Sequence, residues 1–380
     1  MLHALKHNCC SHPILKVLAF AYVALNATSS NASESNAVAI ANNPNIHVMG
    51  RSLINAYEGD AKSDSPSEVI KMSYPGVTLL FNALAKRVTL TARSNSGRGR
   101  IDVVIDGEFS HTLDISKELN TYPITYSETV ARHQVQLVNR SESWQSINEL
   151  HSLTLEQGAL ASPPKLPSRN ILVVGDSVSC GAAVSRGAQC DTKINGHDAR
   201  SSYGYKLGEK LDANVHLVCF GGRGIIRSWN ENPDDIQAPA FFEKSLPFEN
   251  IDAPWDHAQY QPEAVIVSLG TNDFNPGIPD RRKFVSAYVQ FVQRIAQVHP
   301  KAMIMITEGA MLNNGVPERQ NKTVVQGYLS EVVEQANVDS LVYEKANHYP
   351  GDSCDPHPTA KQHEKMAQDL EQSLRQRLNW

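Results

Sequence analysis

The hydrophobic pattern of the chain changes at about residue 160. Before that point, apolar positions occur in short alternating or continuous runs separated by turn residues. These runs are too short for helices, and we predict strands at residues 76–81, 87–92, 101–105, 134–138 and 150–155. The pair Asp106-Gly107 after the third run is typical of a hairpin turn. Residues 46–160 are therefore predicted to form a β-sandwich or jelly-roll domain.

In residues 169–380, fully apolar runs alternate with longer amphipathic stretches. The apolar runs predict strands at residues 171–174, 215–220, 264–269, 302–307 and 340–343. The stretches between and after them have apolar side chains at helical spacing: Phe284, Tyr288, Phe291 and Ile295; Val325, Tyr328, Leu329 and Val332; Met366, Leu370 and Leu374. We expect an α/β domain with a five-stranded parallel sheet of flavodoxin-like order, joined to the sandwich by a proline-rich linker at residues 161–168.

The N-terminal residues have the order of a secretory signal peptide. Lys6 and Lys16 precede an apolar run at residues 17–25, and small residues follow as far as Ala32. A buried N-terminal helix is the alternative, but the Ser/Asn/Ala-rich stretch that follows favours a flexible segment at residues 33–45. We predict a signal peptide at residues 1–32, a secreted or periplasmic location, and no membrane anchor after cleavage.

Composition narrows the possible partners and covalent links. The chain has 35 basic and 40 acidic residues, a net charge of −5, and no long block of Lys or Arg, which argues against nucleic acid as a partner. We expect a monomer.

Outside the predicted signal peptide, the chain has four cysteines, Cys180, Cys190, Cys219 and Cys354. They allow three complete disulfide pairings, or a buried free thiol at Cys219.

Glycine and polar residues follow four of the predicted strands in the second domain. The first strand leads into Gly-Asp-Ser at residues 175–177, the second into Gly-Gly-Arg-Gly at 221–224, and the third into Gly-Thr-Asn-Asp at 270–273. The last strand is followed by Cys-Asp-Pro-His at 354–357. Because the carboxyl ends of parallel strands meet at one edge of a sheet, we expect these four segments to form one site.

These residue types fit acyl transfer by a serine nucleophile. Ser177, at a strand end and ahead of a helix, is the candidate nucleophile, and His357 is its candidate base. Asp355 can orient the imidazole and stabilise its charged form. The backbone N–H groups of Ser177 and Gly222 and the carboxamide of Asn272 are the candidate oxyanion donors. Each segment alone could be a capping turn, but their coincidence at successive strand ends favours catalysis.

The same segments resemble a known superfamily. The blocks GDSVSCG, FGGRGI, SLGTNDF and DSCDPHP are similar to the four signature blocks of the SGNH/GDSL hydrolases. More narrowly they resemble carbohydrate esterase family 2, whose N-terminal jelly roll is similar to the segments around residues 50–51, 73–76, 101–107 and 139–142. The resemblance covers residue 46 to the end. It implies a cofactor-independent esterase, with acetylated polysaccharides such as xylan and glucomannan as substrates and Ser177, His357 and Asp355 as the triad.

Two details of the resemblance bear on the site. The residue between the acid and the base is commonly aromatic in that family, whereas here it is Pro356. Some members use a Ser/His pair without a supporting Asp, so Asp355 favours a triad without establishing one. Trp229, Trp255 and Phe274 are candidate sugar platforms, with core packing as the alternative for each.

Three other functions compete with this interpretation. A broad-specificity lipase or thioesterase shares the chemistry, but the loop at residues 223–255 is rich in polar residues, which favours a sugar. A carbohydrate-binding protein without activity would not need an activated serine. A metallohydrolase would draw on His348, Asp352, Cys354, Asp355, His357 and His363. Those residues lack the spacing of a metal motif, so no metal is expected, and His363 is predicted to be a surface residue.

Overall fold

The computed structural model describes residues 35–56, 68–248, 250–315 and 320–380. The predicted signal peptide lies outside these residues. In the described parts of the chain, no helix has the length and apolar character needed to cross a membrane. The two hydrophobic patterns, before and after about residue 160, correspond to two sheets, one antiparallel and one parallel.

The antiparallel sheet comes first in the chain and follows the order β3-β4-β9-β5-β8-β6-β7, with β1 paired to β9 and β2 and β10 paired to β5. Its strands are β1 (Ser35–Ala39), β2 (Ile46–Met49), β3 (Leu53–Ala56), β4 (Glu68–Met72), β5 (Thr78–Ser94), β6 (Gly99–Ile105), β7 (Glu108–Ile115), β8 (Asn120–Asn139), β9 (Asn148–Glu156) and β10 (Ala159–Ala161). The predicted hairpin at Asp106-Gly107 is confirmed, and both of its residues have positive φ, 52° and 88°.

Two strands of this sheet are longer than the sequence pattern predicts. The predicted strands at residues 76–81 and 87–92 are parts of β5, whose pairing with β8 shifts register between Ala85 and Arg87. The predicted strand at residues 134–138 is only the end of the 20-residue β8. Irregular pairing lets a long strand bend and continue, so polar residues at the bend resemble a turn in the sequence.

Composition predicts a flexible segment at residues 33–45, but part of its described portion lies in the antiparallel sheet. Ser35–Ala39 forms β1 and pairs antiparallel with β9, from Ser35 opposite Glu156 to Ala39 opposite Ser152. An exposed strand edge offers unpaired N–H and C=O groups, and pairing with them orders a segment that has little apolar surface of its own.

The parallel sheet has the order β12-β11-β13-β14-β15, the predicted flavodoxin-like arrangement. Its strands are β11 (Arg169–Gly175), β12 (Ala213–Cys219), β13 (Ala264–Leu269), β14 (Met303–Glu308) and β15 (Leu341–Tyr343). The helices are α1 (Ser177–Cys180), α2 (Tyr203–Leu211), α3 (Ala238–Phe241), α4 (Thr271–Phe274), α5 (Arg281–Val298), α6 (Asn321–Ala336) and α7 (Ala360–Leu378). Every residue of β13 is buried, as expected for a central strand covered on both faces.

The three predicted helical stripes lie in α5, α6 and α7, but the prediction for His363 is wrong. This histidine lies in α7, is fully buried, and its Nδ1 accepts a hydrogen bond from the backbone N–H of Tyr203, at 3.1 Å. Burial lowers the pKa of the imidazole to about 3, so the ring is neutral. His363 therefore joins α7 to the start of α2.

The two sheets pack against each other through buried polar anchors. The hydroxyl of Tyr74 donates to the carbonyl of Phe241 at 2.7 Å, and the N–H of Gly50 donates to Nε2 of His216 at 2.9 Å. Arg51 is fully buried, donates to the carbonyl of Phe242, and lies over the Phe242 ring at 5.1 Å. These contacts fix the sandwich against the parallel sheet, as the short linker predicts.

Two disulfides connect the loops at the edge of the parallel sheet. Cys180 pairs with Cys219, and Cys190 pairs with Cys354. The first links α1 to the end of β12, and the second links the segment after α1 to the loop before α7. The alternative of a free thiol at Cys219 is therefore wrong. In the chain-entropy account, such cross-links stabilise the fold mainly by restricting the unfolded chain.

Candidate active site

Ser177 is the first residue of the short helix α1, directly beyond the end of β11. Asp176 caps this helix, since its carboxylate accepts the N–H of Val178 at 3.0 Å. A Cβ on Gly175 would collide with the side chain of Ser179, so glycine is required where the strand turns into the helix. The serine is partly exposed at the edge of the sheet, where a substrate can reach it.

His357 and Asp355 complete a hydrogen-bonded relay with Ser177. Both residues lie in the loop at residues 344–359, between β15 and α7. Nε2 of His357 is 2.9 Å from Oγ of Ser177, and Nδ1 is 2.6 Å from Oδ1 of Asp355. The same carboxylate oxygen accepts the backbone N–H of His357 at 2.8 Å. The structure thus brings together the three residues that the sequence proposes as a triad.

The charge of Asp355 is suited to orienting the imidazole. Partial burial alone would raise the pKa of this carboxyl, but the hydrogen bonds from the ring and N–H of His357 outweigh burial and lower the pKa. An ionised Asp355 holds a proton on Nδ1, which leaves Nε2 free to accept the proton of the Ser177 hydroxyl.

A buried arginine that the sequence reasoning missed holds the histidine loop in place. Arg186 donates from Nε to both carboxylate oxygens of Asp352 at 3.1 Å, and from its guanidinium to the carbonyls of His357 at 2.9 Å and Asp355 at 3.4 Å. The second disulfide ties the same two segments together. Arg186 lies in no recognisable motif, so only the folded loop reveals its role.

The predicted oxyanion donors lie on the same cleft as Ser177. Gly222 has a φ of 77°, a conformation that favours glycine, in the loop after β12. Asn272 is the second residue of α4 and is buried, and its Nδ2 donates to the carbonyl of Arg223 at 2.8 Å. Because a carboxamide has two N–H groups, this bond orients the amide and leaves one donor for a substrate oxygen.

Asp273, beside Asn272, fixes the loop that carries Gly222. Its buried carboxyl accepts the backbone N–H groups of Ile225 and Ile226, each at 2.9 Å. Burial raises the pKa of this carboxyl to about 6, although the backbone hydrogen bonds oppose the shift. Asp273 therefore connects the loop after β12 to α4. In the sequence, Asp273 is only one residue of the SLGTNDF block, and nothing there indicates this role separately.

Ser177 opens onto a cleft of about 540 Å³ that both sheets help to form. His357, Gly222, Asn272 and Trp229 line the cleft from the parallel-sheet side. Trp229 is 54% exposed, so its ring is available to a ligand. Glu142 and Trp144, from the antiparallel sheet, line it as well; neither residue has a predicted role at the site, although Glu142 belongs to the segment at residues 139–142 that carries the family resemblance.

Two aromatic residues that the sequence offers as sugar platforms do not line this cleft. Trp255 packs at the interface of the two sheets, with the guanidinium of Arg51 5.2 Å from its ring. Phe274 is fully buried, and its ring lies 5.6 Å from that of Phe284 and 5.8 Å from that of Tyr328. Core packing, the alternative for both residues, is therefore the role that the structure gives them.

The residues considered as metal ligands do not converge. Cys354 is bonded to Cys190, and His363 is buried against Tyr203. Across residues 35–56, 68–248, 250–315 and 320–380, no group of three or more His, Cys, Asp or Glu could hold a metal ion.

Comparison with known proteins gives consistent matches along the chain. Residues 63–164 match the family described as carbohydrate esterase 2 N-terminal, and residues 173–365 match the GDSL-like lipase/acylhydrolase family. Over 357 residues the chain is 39% identical to an acetylxylan esterase/glucomannan deacetylase of Cellvibrio japonicus, which covers 94% of this chain and 95% of that protein.

Solved structures agree with these matches. The structure of a family two carbohydrate esterase from Cellvibrio japonicus has a TM-score of 0.84 and 39% identity, and the match covers 91% of this chain and 99% of that one. A family two carbohydrate esterase from Clostridium thermocellum, solved in complex with cellohexaose, has a TM-score of 0.78 and 22% identity over 88% and 99% of the two chains. At that identity the second likeness concerns the fold.

Proposed function

Since the chain belongs to carbohydrate esterase family 2 and is a carboxylic ester hydrolase, we propose that it removes O-acetyl groups from hemicellulosic polysaccharides such as xylan and glucomannan. The observation that carries the mechanism is the relay from Asp355 through His357 to Ser177, with spacings of 2.6 and 2.9 Å, at an open cleft. The substrate class is supported by the relative of 39% identity, which is named for both polysaccharides.

In the proposed mechanism, Oγ of Ser177 attacks the acetyl carbonyl carbon while Nε2 of His357 takes the hydroxyl proton. The oxyanion of the tetrahedral intermediate accepts hydrogen bonds from the N–H groups of Ser177 and Gly222 and from the amide of Asn272. The C–O bond to the sugar then breaks, and His357 returns the proton to the sugar oxygen. Water, deprotonated by His357, then attacks the acetyl-enzyme; the bond to Oγ of Ser177 breaks, His357 returns the proton to that oxygen, and acetate leaves.

The lining of the cleft offers the polar groups and the aromatic face that a sugar ester can use. Arg223 and Asn275 add polar groups near the relay, and the half-exposed Trp229 offers a flat apolar face. Pyranose rings combine hydroxyl groups with apolar faces, so this mixture suits them better than it suits an acyl chain. Because apolar side chains such as Phe220 and Met311 also line the cleft, the alternative of a broad-specificity lipase or thioesterase is decided by the dependence of the rate on acyl length.

The proposal is tested by mass spectrometry of acetylated xylo-oligosaccharides, acetylated glucomannan oligosaccharides and aryl esters of increasing acyl length after incubation with the enzyme. We expect stepwise loss of acetyl groups from the sugars and a rate on aryl esters that falls steeply beyond acetate. Unchanged sugars combined with hydrolysis of long-chain aryl esters would support the lipase alternative.

Asn272→Ala is expected to lower kcat by about a hundredfold or more with little change in KM, because the lost donor acts mainly on the transition state. Asn275→Ala is the matched control, since Asn275 also lines the cleft and also donates its amide to a backbone carbonyl, that of Trp229 at 2.9 Å. The control is expected to retain kcat within a few-fold. A loss confined to KM in the Asn272 variant would mean that Asn272 binds the ground state.

A further inference from the structure

The turn at residues 140–147, between β8 and β9, carries a carboxyl group from the antiparallel sheet into the active-site cleft. The turn is held rigidly, since the N–H of Glu142 donates to Oε1 of Gln145 at 3.0 Å. The hydroxyl of Ser143 donates to the carbonyl of Cys219 at 2.7 Å, which anchors the turn at the end of β12. Glu142 is thereby fixed beside the loop that carries the oxyanion donor Gly222.

The carboxyl of Glu142 is buried but lacks a full set of protein partners. The residue is only 1% exposed, and its Oε1 has no hydrogen-bond partner among the described residues. A Cβ on Gly221 would lie 2.6 and 2.7 Å from the two carboxyl oxygens, so the carboxyl rests directly on that backbone. Glu142 lines the same cleft as Ser177. Because buried polar atoms are rarely left unpaired, this one points to a partner that arrives with the ligand.

The surroundings of Glu142 favour its neutral form. Burial, and to a smaller extent the negative charge of Asp176, raise the pKa of its carboxyl to about 8, although Arg223 opposes the shift. Besides Arg223, the ionisable side chains that line the cleft with it are His197 and His357. At neutral pH, Glu142 can therefore both donate and accept a hydrogen bond, as a sugar hydroxyl requires of its partner.

Trp144 stands two residues farther along the same turn. Its side chain is 40% exposed and lines the cleft, with its edge set against the ring of His197, 6.0 Å away and nearly perpendicular. A fixed aromatic face close to a neutral hydrogen-bonding group matches the two surfaces of a pyranose ring.

We propose that Glu142 and Trp144 form the subsite for the sugar that carries the ester. Glu142 exchanges hydrogen bonds with a hydroxyl of this sugar, and Trp144 packs against the ring. The subsite, which rests on the proposed function, selects esters by the alcohol they contain and takes no part in the chemistry of the acyl group. Its loss therefore affects sugar esters and spares esters of other alcohols.

The test compares an acetylated xylo-oligosaccharide with p-nitrophenyl acetate, which delivers the same acetyl group without a sugar. Glu142→Ala is expected to lower kcat/KM on the sugar ester by about tenfold or more, mainly through KM, and to leave the aryl ester within about twofold. Glu142→Gln retains a neutral hydrogen-bonding group and is expected to keep most of the sugar activity. Glu108→Gln, at an exposed acid of β7, is the control for charge removal.

The pH profile adds a readout that a structural role would not change. Because the raised pKa keeps Glu142 neutral below about 8, the wild-type KM for the sugar ester should rise as the pH passes through that value and the O–H donor is lost. Glu142→Gln should lack this rise. If the alanine variant does not fold, Trp144→Ala takes its place in the same comparison, with the same selective loss expected.

Equal losses on both esters, or none on either, would overturn the subsite. Equal losses would mean that Glu142 supports the Gly221 backbone, and no loss would mean that the sugar does not reach the turn. Failure of the proposed function has a different signature, because the wild-type enzyme would then cleave p-nitrophenyl acetate but no sugar acetate.

Discussion

Replacement of Ser177 by alanine is expected to lower kcat on an acetyl ester by roughly five powers of ten or more, as in other enzymes that lose a serine nucleophile. The hydroxyl is required for the covalent step, and no other hydroxyl shares the 2.9 Å contact with Nε2 of His357 in the described residues. Thermal unfolding should be nearly unchanged, since Ser177 is partly exposed and the helix cap is supplied by Asp176.

Ser179→Ala is the matched control for this prediction. Ser179 lies on the same helix but is buried, and its hydroxyl is 2.7 Å from that of Tyr203. Its removal should lower the stability by about 1 kcal/mol, the usual effect of a lost buried hydrogen bond, and leave kcat largely intact. The two variants should thus separate activity from stability. Turnover of an acetyl ester by the Ser177 variant would contradict the serine mechanism.

Asp355→Asn is expected to reduce kcat by roughly two to four powers of ten. The amide can still reach Nδ1 of His357, now 2.6 Å from the carboxylate, but it cannot neutralise the imidazolium of the transition state and can stabilise the wrong tautomer. The measurement is kcat of Asp355→Asn and Asp355→Ala on a soluble acetyl ester between pH 5 and 9.

Asp352→Asn controls for changes in the loop itself. Asp352 lies three residues earlier and pairs with Arg186 at 3.1 Å, without a contact to the imidazole ring. We expect its loss to change kcat by less than about tenfold, as for a residue that supports the site indirectly. Similar small losses in the Asp355 variants would show that Ser177 and His357 act as a dyad.

The residues of the relay and the candidate oxyanion donors could be predicted because each one follows a strand of a parallel sheet. Alternation of apolar strands and amphipathic helices places Ser177, Asn272 and His357 at one edge, and this rule depends only on local patterns. The strand order itself followed from the same alternation. Their separation of up to 180 residues in the chain was therefore no obstacle.

Side chains that act through long-range contacts could not be predicted in this way. Glu142 lies in a polar turn of the first sheet, and its place beside Gly221 depends on how the two sheets pack. Arg186 likewise contacts the carbonyl of His357 from a segment without a motif. The sequence does not show which backbone carbonyl accepts a hydrogen bond from a side chain, because every residue type has a backbone carbonyl.

Burial of single aromatic and histidine side chains was equally hard to predict. Phe274 directly follows the polar residues of α4, yet the helix turns it into the core, against Phe284. In the sequence His363 is one polar residue among many in α7, but in the structure its ring accepts a hydrogen bond from a backbone N–H of α2. Helical periodicity predicts which face of a helix is buried, but it does not decide whether a residue at the border of that face is buried or exposed.

The walls of the cleft come from two separate parts of the chain. The relay and the proposed oxyanion donors belong to the domain that begins with β11, whereas Glu142 and Trp144 belong to a turn of the N-terminal sheet. If the turn selects the alcohol, as proposed above, substitutions there can change which sugar esters are accepted while Ser177, His357 and Asp355 stay the same. A chimera that carries the N-terminal sheet of a relative is then expected to show the substrate preference of that relative.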